Sequence, residues 1–110
     1  MDYRLKNKKD WDKVFKNGKR VYTSTFSLVY IENKEECLKA GFAVGKKHGG
    51  SVKRNRIKRL FREAFRTFIP QLEQNFFFVF IPKINVEVFL EDIKKDMQFA
   101  LFKGLKGNKC

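Results

Sequence analysis

Hydrophobic and polar positions change period several times along the chain, and each change marks an element. Trp11, Val14 and Phe15 share one face among lysines, which predicts a short helix over residues 8–16, begun near Asn7 and stopped at Gly18. From residue 21 to residue 31, Phe26, Leu28 and Tyr30 alternate with Ser27, Val29 and Ile31, the period of a strand. A short polar turn over 32–39 leads to a second strand over 38–46, and its brevity predicts an antiparallel hairpin. In that second strand Phe42 and Val44 point one way while Gly41, Ala43 and Gly45 point the other. A face of small residues lets another backbone approach closely, either a helix or a nucleic-acid strand.

Gly49-Gly50 then signals a loop, with Ser51 as the expected N-cap of a long helix. Ile57, Leu60, Phe61, Ala64, Phe65 and Phe68 recur at three- and four-residue spacing and form its apolar face, and Pro70 stops it. The unbroken apolar run 76–81 predicts a strand covered on both faces, ended by Pro82. Asn85 is the expected cap of a last helix whose buried stripe is Val86, Phe89, Leu90, Ile93, Met97, Ala100 and Leu101. Gly104 should end it, leaving a loose basic tail from about residue 105. The order predicts one α+β domain over residues 1–110. It is a sandwich with a sheet of about four strands, a central helix in a βαβ crossover and two further helices.

Charge sharpens this picture. The chain carries 25 Lys and Arg against 12 Asp and Glu, a formal net charge of +13. With 43% hydrophobic residues and 13 phenylalanines it has the bulk for a packed core, so it is not a disordered basic tail. A folded domain of this charge implies an anionic partner. The charge is concentrated on the long helix, where Asn55, Arg56, Lys58, Arg59, Arg62 and Arg66 fall together opposite the apolar face. An ordinary solvated face mixes signs, whereas here arginines repel at spacings where mixed charges attract. A polyanion removes that repulsion, and the guanidinium fork suits phosphate. Trp11 and Phe15, beside Lys8, Lys9 and Lys13, either pack on the sheet or line a groove where an unpaired base can stack.

Candidate catalytic chemistry is sparse. Glu87, Glu91, Asp92 and Asp96 gather on the last helix, and Asp92 and Asp96, four apart, are spaced to share a metal ion. Lys94, Lys95 and Lys103 lie among them, so a solvated face is the expectation and no metal site or catalytic residue is assigned. His48, the single histidine, has no acid or nucleophile near it in sequence and reads as a loop residue or a phosphate contact. Cys37 and Cys110 belong to no CxxC pair and are expected as free thiols. No apolar run reaches the roughly 18 residues of a spanning helix, and the first residues lack a signal peptide's apolar stretch. The expectation is a cytoplasmic protein with no membrane partner. Two other classes stay open: a ribosomal or nucleoid-type RNA- or DNA-binding module, and a protein nuclease using the acids of the last helix.

The run from Arg54 to Arg66, RNRIKRLFREAFR, resembles the RNR signature of the protein subunit of bacterial ribonuclease P. The likeness extends through Gly41-Phe42-Ala43-Val44-Gly45-Lys46-Lys47 and Val14-Phe15-Lys16-Asn17-Gly18-Lys19-Arg20, with agreement in length, charge and element order. It implies a fold like that of a domain of a small-subunit ribosomal protein. It also implies a division of labour in which a large RNA subunit, using magnesium ions, removes the 5′ leader from precursor tRNA. The protein, one copy per RNA, would bind no cofactor itself. By that resemblance Lys46, Lys47, Lys53, Arg54, Asn55, Arg56, Lys58, Arg59, Arg62 and Arg66 face the catalytic RNA. Trp11, Phe15, Arg20, Phe26 and Tyr30 are the candidates for a leader groove between the sheet and the first helix.

Overall fold

The computed structural model describes residues 4–32, 38–72, 76–84, 87 and 89–104, with residues 103 and 104 described for their backbone alone. Asn7 opens the first helix, α1 (Lys8–Asn17), by accepting from the Lys9 N–H at 2.9 Å. The Gly18 N–H closes it on the Val14 carbonyl at 2.7 Å. A Cβ at position 18 would lie 2.3 Å from that same carbonyl oxygen, so the passage into the sheet is open only to glycine.

The single strand expected over 21–31 is two strands, β1 (Lys19–Tyr22) and β2 (Phe26–Glu32), paired antiparallel. The Thr23 N–H and hydroxyl both donate to the Phe26 carbonyl, and the turn is anchored from far away in sequence. Asp96 Oδ2 accepts from the Ser24 hydroxyl at 2.9 Å, the Thr25 hydroxyl at 2.6 Å and the Thr25 N–H at 3.1 Å. One half of the acid pair considered for metal binding is therefore a fastener between the last helix and the first hairpin. Asp96→Ala is expected to cost about 1–2 kcal/mol, because three donors lose a charged acceptor. A fall in melting temperature of roughly 5 °C or more, smaller for Asp96→Asn, is the measurement that checks it.

The next strand, β3 (Lys39–Phe42), does not pair with β2. The sheet order is β1-β2-β4-β3, with β4 (Phe76–Pro82) inserted antiparallel to β2 and parallel to β3. The expected hairpin is thus overturned, and its turn, 33–37, lies outside the described residues together with Cys37 and Cys110. The apolar run of β4 explains the insertion, since alternate side chains need cover on both faces and only a central strand provides it. A short 3-10 turn, Lys46–His48, then leads into α2 (Ser51–Phe68), which completes the expected crossover between β3 and β4.

Two helix ends differ from expectation. Gly50, not Ser51, is the N-cap of α2, without a side-chain hydrogen bond. Gly49 has φ +119° just before it, so the chain reverses there and Ser51 is already helical. The last helix, α3 (Leu90–Gln98), starts after Phe89, whose ring is 52% exposed rather than buried. It runs into a π-helical turn, Phe99–Gly104. The rest of its stripe holds: Ile93, Met97, Ala100 and Leu101 are buried. Asn85, Val86 and the tail from 105 lie outside the described residues.

The layers follow from strand parity. Phe26, Leu28, Tyr30, Ala40, Phe78 and Phe80 project from one face onto Ile57, Phe61, Ala64, Phe65 and Phe68 of α2 and the stripe of α3. Val29, Phe77 and Val79 project from the other face onto Val14 of α1 and Leu5. Among the described residues, no helix is long and apolar enough to cross a membrane.

Candidate nucleic-acid interface

Burying the apolar face of α2 in the larger core turns its basic face outward. Lys53, Asn55, Arg56, Arg59, Arg62 and Arg66 are exposed, and Arg54 and Lys58 are partly so. Lys46 and Lys47, on the turn before the helix, are exposed as well. Eight of the ten residues assigned to RNA from the sequence are therefore exposed, and the other two, Arg54 and Lys58, are partly so. Among the described residues, Arg54 Nε is buried with no hydrogen-bond partner, an unusual state for a guanidinium donor.

The opposite face of the sheet is only partly roofed. The Trp11 ring lies over Gly41, where an added Cβ would come within 2.4 Å of the indole, and its Nε1–H donates to the Leu5 carbonyl at 2.6 Å. The small-residue face of β3 thus admits a helix at Gly41. Further along the strand, α1 no longer covers it. The register puts Tyr22, Ser27 and Ile81 side by side across β1, β2 and β4, and Ala43 continues the row beyond β3. Tyr22 is 67% exposed, and Ser27, Ile81 and Ala43 are half-buried, whereas Val29 and Val79 one row further in are fully buried. Phe15, on the helix that covers this face, is 39% exposed and stacked on Trp11 with ring centroids 6.0 Å apart. Arg20 pairs with Val29, so it shares this face, and it is exposed.

Three of the five groove candidates lie on this side of the sheet: Trp11 and Phe15, in contact with each other, and Arg20 on the edge strand β1. Phe26 and Tyr30 are corrected. They project from the other face into the core under α2, where Phe26 meets Phe61 and Phe80 edge-on, so neither reaches the open row. Tyr22, Ser27, Ala43 and Ile81 were missed. The alternation in β2 already separated Ser27 from Phe26. Which parity would face α1 depends on pairing partners that periodicity does not reveal.

Open row and basic surface meet at one end of the sheet. β3 and β4 run parallel, so Ala43 and Ile81 sit beside the start of the Lys46–His48 turn and the end of β4. His48 ties that turn to the end of β4, so the exposed Lys46 and Lys47 stand at this end of the sheet, just ahead of α2.

Comparison with known proteins gives the same answer by an independent route. The family model described as Ribonuclease P matches residues 1–104. The ribonuclease P protein component of Finegoldia magna is 40% identical over 84 residues, 76% of this chain and 74% of that one. That of Macrococcus caseolyticus is 34% identical over 100 residues, covering 90% and 87%. Among solved structures, the Staphylococcus aureus RNase P protein superposes with a TM-score of 0.82 at 27% identity, covering 96% of this chain and 97% of that one. The Thermotoga maritima RNase P protein gives 0.80 at 26%, covering 91% and 96%. With its basic helix, its crossover and its sheet all inside the matched span, the chain belongs to the ribonuclease P protein family.

Proposed function

We propose that this chain is the non-catalytic half of a ribonucleoprotein endonuclease that removes the 5′ leader from precursor tRNA. The outer face of α2 and the Lys46–Lys47 turn bind ribonuclease P RNA, one protein per RNA. The row Tyr22, Ser27, Ile81 and Ala43, walled by Phe15 and Trp11, holds the single-stranded leader. Cleavage belongs to the RNA and its magnesium ions. One observation carries this reading: a half-open row of the sheet, on the face that Trp11 partly covers, ends beside the exposed Lys46–Lys47 turn that leads into the basic helix.

The formal charge of +13 supports a second role. Bringing a folded RNA and a leader strand together opposes phosphate against phosphate, and lysines and arginines screen that repulsion as added cations do. The protein should therefore matter most when magnesium is scarce.

Precursor tRNA cleavage at low magnesium, with protein alone, bacterial ribonuclease P RNA alone and both together, tests the reading. Cleavage only in the mixture, at the mature 5′ end, with a protein effect that shrinks as magnesium rises, is the expected result. Cleavage by protein alone would overturn it, and RNA binding without cleavage in the mixture would favour a plain binding module. Phe15→Ala tests the groove. It should weaken holoenzyme binding of leader-bearing precursor by about tenfold or more, the value of one lost base stack, and leave mature tRNA binding unchanged. Equal losses for both RNAs would remove the leader from this groove.

A further inference from the structure

His48 reads from sequence as a loop residue or a phosphate contact, but its side chain is 8% exposed and both ring nitrogens are engaged inside the protein. Nδ1 faces the Gly45 N–H at 3.1 Å, and Nε2 faces the Pro82 carbonyl oxygen at 2.8 Å. The partners decide the tautomer. An amide N–H only donates, so Nδ1 accepts; a carbonyl oxygen only accepts, so Nε2 carries the proton. The His48 N–H in turn donates to the Gly45 carbonyl at 2.9 Å, and the Gly49 N–H to that of Lys46 at 3.1 Å. The ring therefore closes the turn on itself and ties it to the end of β4. The residues displayed by the closed turn are Lys46 and Lys47, both exposed.

We propose that His48 is a positioning residue for the RNA-binding surface: its ring, accepting from the Gly45 N–H and donating to the Pro82 carbonyl, holds the Lys46–Lys47 turn against β4. The proposal rests on the RNA-binding role given above. A side chain that offers no acceptor to Gly45 and no donor to Pro82 leaves both backbone groups without their partner and frees the turn from β4. Lys53 packs its stem where a side chain at Gly49 would go. Once the turn is released, its two lysines no longer meet phosphates as a fixed pair.

The experiment measures affinity for bacterial ribonuclease P RNA as a function of salt. It compares the unmodified chain, His48→Gln and His48→Leu. Glutamine offers one acceptor and one donor, while leucine fills the space and offers neither. For His48→Leu the log–log salt slope should be shallower than that of the unmodified chain by about 1.5, as two phosphate contacts are lost. His48→Gln should keep the steep slope. Equal slopes for all three proteins would overturn the proposal, even if His48→Leu melts earlier, since that alone is a packing effect. If circular dichroism shows His48→Leu unfolded, His48→Asn, whose shorter side chain keeps an acceptor near Gly45 without reaching Pro82, takes its place. Absence of RNA binding by all three would overturn the proposed function itself.

Discussion

Phe80→Ala should leave the protein close to unfolded at 37 °C. Phe80 is fully buried in the middle of β4, with ring centroids 5.4 Å from Phe26 and Phe65, 5.6 Å from Phe42 and 6.4 Å from Phe61. Those four rings belong to β2, β3 and α2, so one side chain joins three other elements. Truncating a buried phenylalanine typically costs about 3–5 kcal/mol, from lost transfer energy and the cavity left behind. Single domains have only about 5–15 kcal/mol in total. A urea melt followed by circular dichroism should show the midpoint falling by half or more, and Phe80→Leu should recover much of the loss. Near-equal midpoints for Phe80→Ala and the unmodified chain would mean that the aromatic cluster does not hold α2 on the sheet.

The second large effect is on binding and should leave the fold intact. Replacing Arg54, Arg56, Arg59 and Arg62 together by alanine removes four cations from the outer face of α2. If about six phosphates are neutralised by the unmodified chain, its salt slope is about −4, and the variant's should rise to about −1. Stability should stay level or improve slightly. Arg59 and Arg62, three apart, and Arg62 and Arg66, four apart, repel by a few tenths of a kcal/mol per pair in the free protein. Alanine is also the strongest helix former. Loss of RNA affinity with an unchanged melting temperature therefore separates a binding surface from a structural one. Loss of both would mean that these arginines hold the domain together.

Local pattern and tertiary pairing contributed differently to what could be read. Every helix was legible, because an apolar stripe at three- and four-residue spacing needs only neighbours within two turns. The stripe Ile57, Phe61, Ala64, Phe65 and Phe68 is buried as its spacing requires, and the basic face opposite is exposed for the same geometric reason. The Phe76–Pro82 run announced a strand covered on both sides and is the one between β2 and β3.

Partners far apart in sequence were not legible. The break after Tyr22 depends on Asp96, 71 residues beyond Thr25, so the alternation from 21 to 31 looked continuous. The mistaken β2–β3 hairpin has the same origin, since a short turn gives nearby strands the first claim to pair unless a more apolar strand displaces one of them. His48 is the sharpest case. A lone histidine beside two glycines carries no pattern, yet accepting from the Gly45 N–H and donating to the Pro82 carbonyl make it a fixed part of the turn.

The sequence by itself determined the three α-helices, the central strand β4, the basic helix face and the RNR resemblance that pointed to the family. All of these are written in short-range spacing and charge. Only the tertiary structure decided which sheet face lies under α1. It thereby decided that Phe26 and Tyr30 are core and that Tyr22, Ser27, Ala43 and Ile81 form the open row. Side chains alternate faces along every strand, so their grouping is local; which group meets solvent depends on strand order and on the helix laid across the sheet, and those are properties of the whole chain.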